Sequence, residues 1–497
     1  MNYVNLELRV LLMDIMHTSC LKKSLVLLLS AVVPSLLSAQ PALPSLGDRI
    51  SGTVSIEQEY AMGQQFLSGI RRGAPTISDP LLNAYLENVT YKLASRSQLQ
   101  DHRLSFVIID SEALNAFAAP GGIIGVNTGL FLNAQSEAEF ASVMAHEIAH
   151  VSQRHFARGI DEAKAARIPG MAALLASVII MATSDAGHGT AAVAAAQGRS
   201  LENQLRFSRS NETEADRVGQ DVMYSAGFDP DGMSTLFERL LAINRFGRQP
   251  PEFLLSHPLT ESRVSGSRGR AGRYPRQQYS ANLEYQIVRA RVVGHYASNK
   301  ADLVLEYERL LEISTSEFAR DANRYALAIA YYENQQFSQA NDTLAPLLKK
   351  DPNRISYAVT LAEILTEQNE PGQAIEFLQR HLAINPGNNP LTIAYVDALI
   401  AARSYTTASQ VMERHSLSRP NDFQLWFKLA ETHGQAGNIS QVHQARAEYF
   451  RLLGDYQRAR QQLRLALKIE SDNGIAPAEE ARLRQKIQEI ERLQQNG

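Results

Sequence analysis

The chain has 497 residues, of which 44% are hydrophobic and 20% charged, and its formal net charge is −3. This length accommodates two or three domains, each with its own hydrophobic core, and the composition is that of soluble globular protein. The nearly even balance of charge excludes the strongly basic surface on which proteins bind nucleic acid, so we predict no nucleic-acid partner.

The chain begins with the pattern of an export signal, which we place at residues 1–39. Two lysines precede an apolar run over residues 25–33, and small residues follow as far as Ala39. This order is typical of a secretory signal peptide, here cleaved near Ala39. An uncleaved anchor is the alternative, although the run is short for a hydrocarbon core about 30 Å thick. The only cysteine, Cys20, lies in this segment, so the mature protein would have no thiol, which agrees with a periplasmic location.

The next informative segment predicts a short β-strand, formed by Ile123, Ile124, Gly125 and Val126. An extended substrate could pair with this strand if the strand lies at the edge of a sheet beside the cleft. Main-chain pairing of that kind depends little on side chains, so substrate selection would be broad. The alternative is a strand buried in the core.

The most informative motif is His-Glu-Ile-Ala-His, from His146 to His150. Residues four apart lie on one face of a helix, so these two histidines can bind one metal ion. Zn²⁺ accepts such imidazoles and leaves a position for water in catalytic sites, where Glu147 could act as the proton acceptor. Ser136 and Glu139 form a capping-box pattern that predicts the start of a helix. A surface helix with two chance histidines is the alternative.

A second apolar stretch covers residues 168–182 and reads IPGMAALLASVIIMA. It is too short to cross a membrane as a helix. We predict a hairpin helix near the active site that is either part of the core or in contact with the membrane surface.

A later segment with a helical pattern is predicted to supply the third metal ligand. Between residues 201 and 226, apolar and small residues recur on one helical stripe, and Glu212 and Asp216 fall on that stripe. Two carboxylates on a core-facing stripe need positive partners. We predict that Glu212 binds the metal and that Asp216 holds a metal-bound imidazole. Glu214 points to the opposite side and is predicted to be solvated. The alternative is a polar helix whose carboxylates pair with arginines.

The second half of the chain carries an internal repeat. Proline and alanine each recur at intervals of 34 residues, at Pro352, Pro386 and Pro420 and at Ala340, Ala374 and Ala408. This period is that of tetratricopeptide repeats, in which each unit is a pair of antiparallel helices. Such arrays present a concave surface to peptides or partner proteins, although a passive scaffold is the alternative.

Three motifs together resemble a known family. The HExxH motif with the later Glu212-x-x-x-Asp216 is similar to membrane-associated gluzincin peptidases, which include HtpX and the CAAX prenyl proteases. The segment 257–263 resembles their HPxxxxR element, and the segment 115–122 resembles the strand ahead of their active-site helix. The resemblance covers roughly residues 55–270. With an export signal and C-terminal repeats, it is nearest to periplasmic proteases of outer-membrane β-barrel assembly.

The resemblance places two more residues near the metal. His257 and Arg263 belong to the HPxxxxR element, so either could stabilise the oxyanion. Alternatively, His257 could occupy the fourth ligand position and displace the water, which would give a self-inhibited resting enzyme. The catalytic set is then Glu147 and Asp216, while one Zn²⁺ per chain is bound by His146, His150 and Glu212.

We therefore predict a mostly α-helical protein. An α+β protease domain with a small sheet and the HExxH helix covers residues 40–270, and a linker covers 271–283. An α-solenoid of repeats covers 284–474, and a capping helix covers 475–497. Gly-, Ser- and Arg-rich composition predicts loop structure throughout 265–280.

The predicted function is that of an exported zinc endopeptidase. The resemblance implies misfolded or stalled outer-membrane proteins as substrates and the outer-membrane assembly machinery as a partner of the repeats. A periplasmic chaperone or adaptor with a silenced site is the first alternative. A prenyl-protein protease is the second, and the lack of several long apolar spans argues against it.

Overall fold

The computed structural model describes residues 54–165, 209–246, 251–474 and 476–496. The predicted signal peptide and the predicted hairpin helix at 168–182 lie outside these ranges. Within them, no helix combines the length and the apolar character needed to cross a membrane.

The N-terminal half is helical around a small sheet. Its elements, in chain order, are α1 Ile56–Gly73, α2 Pro80–Ala94, β1 Ser105–Ile109, β2 Ala116–Ala119, β3 Ile123–Asn127, α3 Thr128–Asn133, α4 Glu137–Ser152, α5 His155–Ala165, α6 Arg209–Ser225, α7 Asp231–Phe246, α8 Phe253–Ser256 and α9 Glu261–Ala271. A single turn of 3₁₀-helix at Pro120–Gly122 joins β2 to β3. This architecture confirms the predicted α+β protease domain with a small sheet.

The sheet has the order β1-β3-β2, so β3 is its central strand. Ile123 and Ile124 pair with β1 on one side and with β2 on the other, and all five residues of β3 are buried. Of the two alternatives for residues 123–126, the edge strand is therefore wrong and the buried core strand is confirmed. The reason lies in the neighbours: the ring of Phe117 covers Gly125 so closely that a Cβ there would lie 2.0 Å from the ring. Packing on both faces, rather than substrate access, explains this apolar run.

The active-site helix α4 lies at the centre of the domain, with both polar and apolar residues buried along its length. One side packs on an aromatic cluster of Tyr85, Phe131, Phe140 and Tyr285. On the other side α6 approaches closely at Gly219, where a Cβ would lie 3.2 Å from the backbone of α4. This approach brings the carboxylates of α6 within reach of the histidines of α4.

The linker is shorter than its composition suggests. Residues 265–271 continue α9, so the prediction of loop structure from residue 265 is wrong. The helix is capped at Thr260, whose side chain accepts the amide of Arg263, and Val264 and Ser267 are buried against the domain. Capping and burial therefore outweigh the local content of glycine, serine and arginine.

The second half is a stack of antiparallel helix pairs, which confirms the predicted tetratricopeptide solenoid. Its helices are α10 Leu283–Tyr296, α11 Lys300–Glu312, α12 Glu317–Glu333, α13 Phe337–Lys350, α14 Ile355–Glu367, α15 Pro371–Ile384, α16 Asn389–Ala401, α17 Tyr405–Ser416, α18 Phe423–Gln435, α19 Ile439–Leu452, α20 Tyr456–Asp472 and α21 Pro477–Asn496. The repeated alanines at 340, 374 and 408 are each fully buried. On the last helix, Leu483 and Ile490 pack against α20.

The repeats contact the protease domain at several places, among them α2 and its N-cap residue, Asp79. Leu81 packs among buried residues of the repeats, and Arg291 joins Asp79 (2.6 Å) to Glu363 (2.9 Å). Further along α2, Arg419 pairs with Glu87 at 2.6 Å. The described residues, from Val54 onward, belong to one compact unit, so the helix pairs are anchored directly beside the N-terminal domain.

Candidate metal centre

The local sequence fixes where α4 begins and therefore which residues face the site. Ser136 caps the helix and accepts the amide of Glu139. The carboxylate of Glu139 accepts the amide of Gln135 at 2.7 Å and pairs with Arg239 at 2.6 Å. The contact from the Glu139 amide to the Ser136 side chain, one half of the predicted capping box, is therefore present. The other half is shifted, because the Glu139 carboxylate accepts the amide of Gln135 instead of that of Ser136. The cap places His146 in the third turn of the helix and His150 one turn further on, in the last turn.

Four side chains converge at one point of the interior. His146 and His150 of α4, Glu212 of α6 and His257 after α8 each offer one ligand atom, and these atoms lie within 4.8 Å of one another. The Nε2 atoms of His146 and His150 are 3.0 Å apart, and the Glu212 oxygens lie 3.5 and 3.4 Å from them. Nδ1 of His257 lies 3.3 Å from Nε2 of His146 and 3.1 Å from Glu212. All four side chains are buried.

Glu147 lies beside this cluster with its carboxylate fully buried. Within the described residues, neither carboxylate oxygen has a hydrogen-bond partner, and Nε2 of His257 lies 3.5 Å from Oε1. A buried carboxylate without a hydrogen-bond donor is costly. Its presence here indicates a functional group that binds or takes a proton from a ligand.

Asp216 and Arg263 form a rigid support behind His146. Oδ1 of Asp216 lies 3.1 Å from Nδ1 of His146. Arg263 donates from Nε and Nη2 to the two oxygens of Asp216, both at 2.7 Å, and its Nη1 donates to the carbonyl of Pro258 at 2.8 Å. Nη1 also lies 2.8 Å from Glu212. The whole guanidinium is therefore engaged with protein acceptors.

The charges in the site are arranged for a cation. Burial lowers the pKa of His146, but Asp216 and Glu212 outweigh burial and raise that pKa to about 10. Burial raises the pKa of Glu212, but His257 and the two HExxH histidines outweigh it and hold that pKa well below its usual value. Burial lowers the pKa of His150. Glu212 is thus kept ionised beside the imidazoles of His146, His150 and His257.

One observation tests whether a metal fits. Neutral imidazole carries its proton on one nitrogen only. If Nδ1 of His146 donates to Asp216, its Nε2 becomes an acceptor that faces the Nε2 of His150. Without a metal, His146 is protonated on both nitrogens, and the proton on its Nε2 is donated to Nε2 of His150. A divalent cation can replace that proton between the two nitrogens. His146, His150 and Glu212 therefore fit a metal ion, with His257 as an available fourth ligand.

The structure also contains a group that the sequence reasoning missed. Nδ1 of His155 lies 2.8 Å from Nδ1 of His150, and Nε2 of His155 lies 3.1 Å from Glu214. Arg158 donates to the same carboxylate at 3.0 Å. The prediction that Glu214 is a solvated charge is therefore wrong: its side chain is 30% exposed and bound on one side by α5. The only signal in the sequence was His155 itself, a histidine five residues after His150.

The fold and the site define a metallopeptidase whose HExxH helix is joined to a tetratricopeptide array. The family model of peptidase family M48 matches residues 80–271, and the tetratricopeptide repeat model matches residues 365–441. The chain belongs to peptidase family M48.

Two of the relatives match almost the whole chain. It is 32% identical to the beta-barrel assembly-enhancing protease of Escherichia coli (strain K12), over 96% of this chain and 98% of the relative. It is 31% identical to the protein of that name from Yersinia pestis, over 93% of this chain and 94% of the relative. The mitochondrial metalloendopeptidase OMA1 of Arabidopsis thaliana is 31% identical over 34% of this chain and 32% of its own length.

Proposed function

We propose that this chain is an exported endopeptidase with one Zn²⁺, acting in the quality control and assembly of outer-membrane proteins. The observation that carries the proposal is the convergence of His146, His150 and Glu212 beside an unpartnered Glu147 carboxylate. Zn²⁺ bound by those three ligands would polarise the scissile carbonyl and make a water more acidic.

Glu147 is the general base in this proposal. Its buried carboxylate takes a proton from the attacking water and then gives that proton to the leaving amine. Asp216 holds Nδ1 of His146, so that Nε2 faces the ligand cluster. We assign Arg263 to the support of Asp216 and Glu212, because its donors are already engaged with them and with Pro258.

His257 has two candidate roles. Nδ1 lies at the convergence point of the ligand cluster, which supports a role as a fourth ligand that closes the site at rest. Nε2 lies on the side of Glu147, which supports a role as an oxyanion donor when the ring is displaced. We favour the resting cap because the ring is buried and stacks on Phe253. A chaperone or adaptor with a permanently silenced site is the second candidate function, and the same contacts favour it.

We place the substrate along β2. Because β3 is the central strand, β2 lies at one edge of the sheet, on the side of α4. No other strand pairs with the outer edge of β2 in the described residues. A cavity lined by Ala118, Ala119, Pro120 and His150 lies there. An extended segment could add to β2 through main-chain hydrogen bonds, which suits unfolded clients of many sequences.

Location and partners follow from the export signal and the relatives. The pattern over residues 1–39 supports secretion into the periplasm. The relatives' names refer to β-barrel assembly, so misfolded or stalled outer-membrane proteins are the proposed substrates. The repeats, anchored beside the site, would recruit these substrates or the assembly machinery.

The test uses the mature chain with its metal content measured. Stripping the metal should abolish cleavage of an unfolded outer-membrane β-barrel protein, and zinc should restore it. A soluble unfolded protein of similar length serves as the comparison substrate. Equal cleavage with and without metal would reject the zinc site, and faster cleavage of the soluble protein would reject the substrate class.

A further inference from the structure

We propose that His155, held by Glu214, is a positioning residue that sets the proton and the ring orientation of His150. The inference rests on the proposed metal site and adds a residue pair outside the ligand set. His155 is as deeply buried as the ligands themselves, at 1% exposure.

The contacts form a chain that leads away from the ligand cluster. Nδ1 of His150 and Nδ1 of His155 lie 2.8 Å apart, and Nε2 of His155 lies 3.1 Å from Oε2 of Glu214. Arg158 donates to that oxygen at 3.0 Å and to Oδ1 of Asn211 at 3.0 Å. The chain therefore ends on a carboxylate that is itself neutralised and held in place.

One arrangement of protons is consistent with the contacts between His150, His155 and Glu214. To bind a metal through Nε2, neutral His150 must carry its proton on Nδ1. It then donates to Nδ1 of His155, which in turn donates from Nε2 to Glu214. The carboxylate accepts, so each ring has one proton and one lone pair in use. With this arrangement, Nε2 of His150 always presents a lone pair to the cluster.

The backbone is bent to make this contact. On a continued helix, His155 would be rotated by about 140° from His150 and could not reach its ring. Instead α4 ends, and Arg154 adopts a left-handed conformation with a φ of 52°. Its side chain donates to Glu59 at 3.0 Å and to the carbonyl of Val54 at 2.6 Å. Such a conformation is unfavourable for arginine, so these contacts to α1 and to Val54, two residues ahead of it, help to maintain the bend.

The two metal-binding histidines are thus held in different ways. His146 is held directly by the carboxylate of Asp216, whereas His150 is held by an imidazole that a carboxylate orients. Partners of metal-bound histidines typically affect metal affinity by about 10- to 100-fold. We therefore expect His155 to affect metal binding itself, independently of the Glu147 chemistry.

The experiment measures zinc affinity of the metal-free mature chain by competition with a chelator. Three variants are compared with wild type: His155→Leu, His155→Asn and Glu214→Gln. Asparagine keeps an acceptor near the position of Nδ1 but loses the link to Glu214. His433→Leu serves as the control because His433 is also buried, at 2% exposure, but lies in the repeats. The melting temperature of each metal-free variant and its cobalt absorption spectrum are recorded in parallel.

His155→Leu should bind zinc about 10- to 100-fold more weakly and change the cobalt spectrum. His155→Asn should recover part of the affinity, and Glu214→Gln should lose less than His155→Leu. The inference is overturned if folded His155→Leu binds zinc as tightly as wild type. It is also overturned if both His155 variants lose stability equally while the asparagine recovers no affinity, because that pattern indicates packing alone. If His155→Leu does not fold, the asparagine and Glu214 variants decide. Failure of wild type to bind zinc would instead reject the proposed function.

Discussion

Replacement of His257 by alanine distinguishes the two roles of this residue by the direction of the change in turnover. The ring contributes one nitrogen 3.3 Å from His146 and 3.1 Å from Glu212, and the other nitrogen 3.5 Å from Glu147. A hydrogen bond to a charged group typically contributes about 1.5–3 kcal/mol. If that energy keeps the cap closed, its loss should increase the open fraction by about 10- to 150-fold, since 1.4 kcal/mol corresponds to about tenfold.

The assay is the initial rate of cleavage of an unfolded β-barrel protein by the mature chain, with bound zinc measured in the same samples. The cap predicts faster cleavage by His257→Ala and nearly full zinc content, because three ligands remain. An oxyanion role predicts a rate lower by about 10²- to 10³-fold. His433→Ala, a buried histidine of the repeats, controls for general effects of losing a ring. An unchanged rate would refute the reasoning for both roles.

Three further predictions concern the metal site. Glu212→Gln should lose most of the bound zinc because it removes a ligand. Asp221→Asn, at a half-exposed position of the same helix, should retain the zinc. Metal analysis that gives the reverse order would contradict the assignment. Gly219→Ala should weaken zinc binding, since a Cβ would lie 3.2 Å from the backbone of α4 and push α4 and α6 apart. Competition with a chelator measures the zinc affinity. An unchanged affinity would contradict the prediction that this close approach is needed for zinc binding. In the metal-free chain the folded pKa of His146 is raised from 6.5 to about 10, so its stabilising contribution is fully present below pH 6.5 and is lost as the pH rises through about 10. The difference in unfolding free energy between wild type and His146→Gln should accordingly shrink from pH 7 to pH 10, and a constant difference would count against the ion pair with Asp216.

Arrangements of residues on successive turns of a single helix were predictable from the sequence. The spacing of His146 and His150 and the stripe that holds Glu212 and Asp216 each follow from the geometry of a single helix. The structure brings these four residues together because Gly219 allows the two helices to approach. The 34-residue period likewise predicted the repeats, since each unit packs mainly on its neighbours.

Features that depend on contacts between distant segments were not predictable in the same way. The position of Ile123 within the sheet depends on which strands flank it, and sequence periodicity contains no information on strand order. The helical stripe predicts a solvated Glu214 because it considers one helix at a time. Its partners, His155 and Arg158, lie on α5 and reach it only because the chain bends at Arg154. A local pattern cannot reveal such a bend, since arginine rarely has a positive φ.

The extent of α9 shows a third kind of error. Composition in residues 265–271 favours a loop, but burial of Val264 and Ser267 and the cap at Thr260 favour a helix. Tertiary contacts decided the outcome, as they often do for segments of weak helical propensity.

The central claim is that Glu147 acts as the general base of a zinc peptidase. The most direct measurement compares wild type with Glu147→Gln, a substitution of nearly the same shape, in zinc content and in cleavage of an unfolded β-barrel protein. We predict equal zinc in the two proteins and loss of cleavage in the variant by at least about 10²-fold, in keeping with the removal of a general base. Equal cleavage by both proteins would contradict the account, because the peptidase chemistry would then not depend on the buried carboxylate beside His146 and His150.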